Sequence, residues 1–297
     1  MRWRSFSTAA EPMRWLFLLA AAAFAQDTRV VLLGTGTPNA DPDRMGPAVA
    51  ILSADRAYIV DAGPGVVRRA VQAGIRMDQL TRVFVTHLHS DHTVGLPDLI
   101  FTPAVTGRRD ALEIYGPTGI RAMTMNIMKA WKEDMQVRLH GLEPSVPGAY
   151  VVEAHEIKPG EIYRDDAVRV RAFDVNHGIW KYAYGYRFEA PDKTIVISGD
   201  TTYSPSLIAA AKGCDILVHE VYGQKGWDAR TPDWKKYHAA FHTSGPDLGR
   251  IAAEVRPKKL VLYHTIPMGE SAEDLVNEIG ASFHGEIVYA NDLDVIR

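Results

Sequence analysis

The chain has 297 residues, of which 46 % are hydrophobic and 23 % charged, with a formal net charge of −3. This composition is that of a soluble globular protein and excludes a largely disordered chain. No run of lysine and arginine is long enough to form a polyanion-binding track, so the charge pattern does not predict a nucleic-acid partner. The length fits one large domain or two small ones.

The N-terminus predicts an export signal. An apolar run at residues 15–24 follows Arg14 and leads into Ala23-Phe24-Ala25, which has the small-x-small form of a signal-peptidase site. Because the run is too short to span a bilayer, we expect cleavage rather than a stable membrane anchor. Residues 1–25 are thus a predicted signal peptide, residues 26–297 the mature domain, and the location periplasmic or secreted. The alternative is a buried helix or an anchor.

Short runs rich in valine and isoleucine, bounded by glycine, proline or aspartate, predict strands. They cover residues 28–33, 48–53, 57–60, 83–86, 111–115, 168–175, 184–189, 194–198, 216–219, 260–263 and 286–289. Helices are predicted at 65–73, 118–134, 204–211, 245–255 and 271–279. Two clusters of strands with helices between them favour a mixed α/β sandwich. A dinucleotide-binding fold is rejected, because the glycines at 34 and 36 lead into a loop and not a helix.

The single cysteine, Cys214, begins the strand-like sequence Cys-Asp-Ile-Leu-Val, just before the predicted strand at 216–219. One cysteine cannot form an intramolecular disulfide, so we expect the core and any bound metal to stabilise the protein. A buried, inert thiol is the expected state of this side chain.

A dense group of metal-ligand side chains follows the predicted strand at 83–86. His87 and His89 are two residues apart, so on an extended backbone their rings point to the same side. Asp91 and His92 follow where the chain turns and offer an oxygen and a nitrogen to a second ion. Histidine and aspartate are ligands of catalytic zinc. Four such residues in six positions predict a metal site.

Three further candidates follow other predicted strands. His177 and Asp200 each come after an apolar run, and His264 ends a third run. Active-site residues gather at strand ends in sheet proteins, which raises the weight of each. Asp200 is a candidate to bridge two ions.

These motifs resemble the metallo-β-lactamase superfamily, and within it the ribonuclease Z-like branch. The resemblance covers nearly all of the mature chain and rests on Leu33-Gly34-Thr35-Gly36-Thr37-Pro38, Val60-Asp61-Ala62-Gly63, Thr86-His87-Leu88-His89-Ser90-Asp91-His92, Asn176-His177-Gly178, Gly185-Tyr186-Arg187, Ser198-Gly199-Asp200-Thr201, His219-Glu220, His242-Thr243-Ser244 and His264. It implies an αββα four-layer sandwich, in which two mixed β-sheets are flanked by helices and the metals lie at one edge.

The resemblance also implies a cofactor and a division of labour. The cofactor would be two Zn²⁺ per chain, with Mn²⁺ or Fe²⁺ as alternatives. The implied ligands are His87, His89 and His177 for the first ion, Asp91, His92 and His264 for the second, and Asp200 between them. Asp61 would orient the histidine loop. Asp91 would also hold the nucleophile, while Glu220 would orient His242 as the proton donor to the leaving group.

We therefore predict an exported hydrolase that cleaves phosphodiester or related ester bonds of a small molecule through a hydroxide bridging two ions about 3.5–4 Å apart. Hydrolysis of a β-lactam, lactone or aryl sulfate is the alternative, and a non-catalytic metal-binding protein is a third reading.

Residues 131–166 correspond to the RNA-binding arm of tRNA-processing members. They include Glu143, Glu153, Glu156, Glu161, Asp165 and Asp166. Nucleic acid is therefore not expected as a partner, and a homodimer is left open.

Two aromatic groups flank the predicted site. They are Trp180, Tyr182, Tyr184 and Tyr186 after His177, and Trp227, Trp234 and Tyr237 before His242. Each residue either packs in the core or belongs to a wall over the metals that receives an organic substrate. Lys235 and Lys236 either attract an anionic group or form a solvated surface pair. His238 is assigned no role.

Overall fold

The computed structural model describes residues 27–297. The predicted signal peptide at residues 1–25 lies outside this range, so export stays a prediction. Within the described part, no helix has the length and apolar character needed to cross a membrane.

Two seven-stranded sheets form the centre of the domain. The strands of the first are β1 (Arg29–Gly34), β2 (Ala48–Ser53), β3 (Arg56–Val60), β4 (Arg82–Phe84), β5 (Leu112–Gly116), β6 (Val152–Glu156) and β14 (Val295–Ile296). The strands of the second are β7 (Gly160–Arg164), β8 (Arg169–Asp174), β9 (Tyr184–Glu189), β10 (Thr194–Ile197), β11 (Ile216–Tyr222), β12 (Lys259–Ile266) and β13 (Glu286–Tyr289). Strand order is β14-β1-β2-β3-β4-β5-β6 in the first sheet and β13-β12-β11-β10-β9-β8-β7 in the second. Both sheets contain parallel and antiparallel pairs.

Helices cover the outer faces of the sheets. They are α1 (Val66–Gln72), α2 (Ser90–Thr93), α3 (Leu96–Thr106), α4 (Ile120–Ala130), α5 (Lys132–His140), α6 (Pro205–Ala211), α7 (Gln224–Asp228), α8 (Pro232–Phe241), α9 (Gly245–Val255) and α10 (Ala272–Gly280). The side chains of Ser204, Ser244 and Ser271 accept hydrogen bonds from backbone N–H groups in the first turns of α6, α9 and α10, and so cap them.

The side chains of β1 show how the layers arise. Val30 and Leu32 point into the core between the two sheets, whereas Val31 and Leu33 pack under the helices of the first sheet. Because alternate side chains point to opposite faces, a strand buried on both faces reads as a continuous apolar run. Between the sheets, Phe84 meets Phe188 edge to face, with ring centroids 5.4 Å apart. The predicted αββα sandwich is confirmed.

The structure departs from the predicted elements at the edges of the sheets and in several helices. Strands β6, β7 and β14, and helices α2, α3, α7 and α8, were not predicted. The edge strands β6 and β7 are half-exposed and mix polar with apolar side chains, so they lack an apolar run. The helix predicted at 118–134 is two helices that meet at Trp131. Cys214 is buried, as predicted.

Arg108 ties several parts of the first layer together from within the core. Its side chain is only 1 % exposed. The guanidinium donates hydrogen bonds of 2.7–3.3 Å to the backbone carbonyls of Leu80, Leu99, Ile100 and Ala149. Burial lowers the pKa of this arginine to about 10. The cation is therefore held by the dipoles of four buried carbonyls.

We predict that Arg108→Leu lowers the free energy of unfolding by about 3 kcal/mol, because it removes the hydrogen bonds that join Arg108 to four buried carbonyls. Urea denaturation followed by circular dichroism measures the change. The matched control is Arg109→Leu, since Arg109 is the exposed neighbour of the same type. Equal, small losses in the two variants would show that Arg108 is not a structural anchor.

Candidate metal centre

The candidate ligands lie at one edge of both sheets because each follows or ends a strand. His87 and His89 occupy the loop after β4, and α2 then begins at Ser90. His177 follows β8, Asp200 follows β10, and His264 lies near the end of β12. The two sheets thus bring residues far apart in the sequence to one place.

The first group consists of His87, His89, His177 and Asp200, whose ligand atoms all lie within 4.8 Å of one another. Nδ1 of His89 is 2.9 Å from Nε2 of His87 and 3.1 Å from Nε2 of His177. Oδ2 of Asp200 lies 3.8 Å from Nε2 of His87 and 3.9 Å from Nε2 of His177. Three imidazole nitrogens and one carboxylate oxygen therefore converge.

The second group consists of Asp91, His92 and His264. Oδ2 of Asp91 lies 3.6 Å from Nε2 of each of the two histidines. Asp200 reaches this group as well, with Oδ1 3.4 Å from Nε2 of His92 and Oδ2 3.3 Å from Nε2 of His264. Asp200 therefore lies between the two groups, in the position that the resemblance implies for a bridging residue.

The buried polar atoms at this edge fit divalent metal ions. Nε2 of His92, Nε2 of His264 and Oδ1 of Asp200 are buried without a hydrogen-bond partner among residues 27–297. Buried polar atoms without partners are unfavourable, and a bound cation would satisfy all three. Imidazole nitrogen and carboxylate oxygen are also the donor types of catalytic zinc sites.

Asp61 supports the histidine loop from below. Its carboxylate accepts hydrogen bonds from the backbone N–H and the hydroxyl of Thr86, and lies 2.8 Å from Nδ1 of His92. The Thr86 hydroxyl is in turn 3.0 Å from Nδ1 of His87. Nδ1 of His177 donates to the carbonyl of Phe241 over 2.8 Å. These contacts leave Nε2 of His87, His92 and His177 directed at the centre.

His89 differs from the other histidines because a donor contacts its outer nitrogen. The indole Nε1 of Trp180 lies 2.9 Å from Nε2 of His89. A metal bound to Nδ1 would leave the imidazole proton on Nε2, where it would face the indole N–H. The Trp180 contact is therefore the hydrogen bond that metal binding would have to change.

A second polar unit, Glu220 and His242, lies beside the ligands. Glu220 is fully buried at a bulge in β11, where the register with β12 shifts and re-aims the side chain. Its Oε1 accepts from the backbone N–H of Thr243 at 2.8 Å, and its Oε2 lies 3.3 Å from Nδ1 of His242. Burial acts to lower the pKa of His242, but the carboxylates of Glu220 and Asp200 outweigh it, so the pKa is raised.

A cavity of about 350 Å³ opens over both groups. His89, Asp91, Asp200, His242 and His264 border it on the metal side. The surrounding walls come from the loop at 37–39 and from the region of α8, and include Asn39, Arg230, Trp234, Tyr237 and His238. Asp91 and His242 therefore both face the space where a substrate would react.

Only part of the predicted aromatic wall faces this cavity. Trp234 and Tyr237 border it, whereas Tyr184 and Tyr186 are buried in the core between the sheets. Neither predicted lysine borders it, and the ammonium of Lys235 lies over the ring of Trp227 instead.

Three residues of the site were not predicted from the sequence: Thr86 and Phe241 as supports, and Arg230 as a cavity residue. Thr86 directly precedes the histidine motif, which is the one signal that points to it. Phe241 acts through its backbone carbonyl and Arg230 by its position, and neither property has a sequence pattern.

Comparison with known proteins identifies related families. The family model described as "Beta-lactamase superfamily domain" matches residues 56–265. The protein named Ribonuclease Z from Mycobacterium bovis is 33 % identical over 271 residues, covering 89 % of this chain and 96 % of the relative. The expected resemblance is therefore confirmed.

Solved structures share the same fold at lower sequence identity. The metallo-beta-lactamase fold protein YhfI from Bacillus subtilis has a TM-score of 0.69 and 20 % identity, covering 91 % of this chain and 99 % of that chain. The short form of human tRNase Z has a TM-score of 0.67 and 24 % identity, covering 91 % and 98 %.

The names of these relatives conflict with one expectation. Ribonuclease Z and tRNase Z are, by name, enzymes that act on RNA. The acidic stretch at 131–166 argues against a nucleic-acid partner. However, a sequence identity of 33 % with the protein named Ribonuclease Z, over 89 % of this chain, outweighs the composition of a single stretch. The exclusion of nucleic acid is therefore withdrawn.

We predict that Asp61→Asn weakens zinc binding about 10–100-fold, because an amide cannot accept all the hydrogen bonds that orient the histidines. Asparagine tolerates the left-handed backbone at this position, where φ is +61°, so the fold should persist. Competition with a zinc chelator gives the affinity.

The matched control for this variant is Asp215→Asn. Asp215 also accepts a backbone hydrogen bond, from Thr194, but it lies just before β11, at the opposite end of that strand from the metal centre. Unchanged zinc affinity in Asp61→Asn would mean that Asp61 does not organise the centre.

Proposed function

The chain belongs to the metallo-β-lactamase superfamily, in its ribonuclease Z-like branch, and from this premise we propose that it is a two-zinc hydrolase of phosphodiester bonds. The position of Asp200 carries the proposal. Its Oδ2 lies 3.8 Å from Nε2 of His87 in the first group and 3.3 Å from Nε2 of His264 in the second, and its Oδ1 lies 3.4 Å from Nε2 of His92. Paired metal ions suit an in-line displacement at phosphorus, in which both the attacking and the leaving oxygen need charge stabilisation.

The residues that would hold the ions follow from the two groups. One ion would be held by His87, His89 and His177, the other by Asp91, His92 and His264, with Asp200 shared. When bound, such a pair supplies an activated water and neutralises charge on the phosphoryl group.

Asp91 would position the attacking water. Its carboxylate borders the cavity and is 9 % exposed, whereas Asp200 is 2 % exposed. It can therefore accept a hydrogen bond from a water molecule on the cavity side while its Oδ2 faces His92 and His264. This supports a double role for Asp91, as ligand and as the residue that orients the nucleophile.

His242 would protonate the leaving oxygen. Its ring borders the cavity, and Glu220, fixed by the N–H of Thr243, lies against Nδ1. A carboxylate in this position fixes the ring and favours the imidazolium that a general acid requires. Neither residue is needed to complete the two ligand groups, which supports a separate role in proton transfer.

Hydrolysis of RNA is the second candidate activity, favoured by the 33 % identity with the mycobacterial protein named Ribonuclease Z. A panel of phosphodiester, RNA, β-lactam, lactone and aryl sulfate substrates, run on protein of measured metal content, separates the candidates. About two zinc ions per chain are expected. A metal content near zero after zinc supplementation would overturn the proposal.

Export is a separate proposal and rests only on the apolar run and the Ala23-Phe24-Ala25 sequence. We predict that expression in a bacterial host gives periplasmic or secreted protein that begins at Gln26. N-terminal sequencing of the fractionated protein tests this. Cytosolic protein with an intact N-terminus would contradict it and leave the metal centre unaffected.

We predict that His242→Ala slows an alkyl phosphodiester by about 10²-fold or more, while the nitrophenyl analogue loses little. Nitrophenolate leaves without a proton, whereas an alkoxide needs one. Glu220→Gln should slow hydrolysis of the alkyl and the nitrophenyl ester, each by a smaller factor than His242→Ala does.

His284→Ala, which removes an exposed histidine, serves as the control. Metal content is measured in each variant. Equal losses on the two esters would reject the acid role of His242, and a loss of zinc from His242→Ala would make this residue a ligand instead.

A further inference from the structure

Helix α8 presents two aromatic side chains to the cavity. Trp234 is 55 % exposed and Tyr237 is 37 % exposed, and they lie three residues apart on neighbouring positions of the helix surface. Their ring centroids are 5.7 Å apart with an interplanar angle of 88°. Tyr237 is also stacked on Phe241 at 4.6 Å, which supports its ring from behind. An exposed indole and phenol beside a polar reaction centre offer a surface on which a flat ring can pack.

Arg230 adds positive charge to the same wall. It is the only arginine or lysine among the described residues that border this cavity. A phosphodiester carries one negative charge, so the guanidinium favours it over a neutral ester of the same shape.

A second recess, of about 540 Å³, lies across the loop at 37–39 and has a different character. Pro42, Met45, Pro64 and Val94 are among its lining residues, and no aromatic side chain of the described chain borders it. Its only arginine is Arg44, whose guanidinium is already bound to Thr265, Tyr289 and the carbonyl of Ala290. Aromatic recognition is therefore confined to the α8 side.

Asp91 and the loop at 37–39 border both spaces. A diester whose phosphorus lies over Asp91 would place one ester group in each. Because His242 borders only the α8 cavity, the group on that side is the one whose oxygen can receive the proton. Water then forms the new P–O bond and releases one proton to solvent, the P–O bond to the α8-side alcohol breaks, and the His242 proton moves to the released alkoxide oxygen. A proton from solvent restores the His242 imidazolium.

We infer that Trp234 and Tyr237 bind an aromatic ring carried by the leaving alcohol of a phosphodiester, with Arg230 matching the charge of the phosphate. The inference rests on the proposed function and names the specificity of the same site. A nucleoside at an RNA end and a small arylalkyl diester share this chemistry.

The test compares two diesters of equal length, methyl 2-phenylethyl phosphate and methyl 2-cyclohexylethyl phosphate, on the zinc-loaded enzyme. The aromatic ester should have a KM about 10-fold lower, in the range expected for stacking on one aromatic side chain, with a similar kcat. Trp234→Leu should remove this preference and Trp234→Phe should keep most of it. Lys236→Leu, which changes an exposed residue of the same helix that does not border the cavity, should leave it intact.

Calorimetry with the phosphonate analogue of the aromatic ester measures binding without turnover, and thermal melting checks the fold of each variant. Equal KM values for the two esters in the wild type, or a preference retained in Trp234→Leu, would overturn the inference and leave the proposed function standing. Failure to hydrolyse either ester would instead count against the proposed function, while the calorimetry would still report on the aromatic site.

A short RNA oligonucleotide as a competitor separates the two sources of the ring. Competition that weakens in Trp234→Leu supports a nucleoside, and turnover of the phenylethyl ester without such competition supports a small arylalkyl diester.

Discussion

The candidate metal centre depends on the contacts that the buried carboxylate of Asp61 makes. Asp61 lies directly after β3 and has a left-handed backbone conformation, with φ +61°. Its carboxylate contacts Thr86 and His92. A non-glycine residue in this region costs on the order of 1–3 kcal/mol, and such strain persists only where the surroundings hold it. The hydrogen bonds that the Asp61 carboxylate accepts offset that cost. The loop at 87–92 consequently takes its shape from a residue outside the loop.

The sheet topology explains why this arrangement requires two sheets. The first sheet supplies the loop after β4 and its support after β3, whereas the second supplies His177, Asp200 and His264 from the ends of β8, β10 and β12. Neither sheet holds a complete ligand group alone, because Asp200 and His177 join residues of the first sheet. Packing between the sheets, through side chains such as Phe84 and Phe188, therefore also fixes the ligand distances. This links the interior of the sandwich to its chemistry.

Much of the fold and the candidate ligand set could be predicted from the sequence because each rests on a local pattern. Central strands such as β1 and β10 are apolar on both faces and read directly as strands. Helices α3 and α8 could not be recognised. Pro103 lies inside α3 and argues against a helix there, and α8 keeps only His238 buried, so it shows no apolar stripe. The role of Phe241 could not be predicted for a related reason. Its carbonyl contacts His177 only when α8 packs against the loop that carries His177.

The histidines show how far the centre is organised without its metal. His87, His92 and His177 each have Nδ1 next to a fixed oxygen, on Thr86, Asp61 and Phe241, so each has its Nε2 directed at the centre. His89 offers Nδ1 instead, and its Nε2 is in contact with the indole of Trp180. A neutral imidazole carries one proton, so a metal at Nδ1 requires the Nε2–H tautomer, whereas accepting the indole N–H at Nε2 requires the Nδ1–H tautomer. Three of the rings are thus oriented by fixed oxygens, whereas the tautomer of His89 depends on its contact with Trp180.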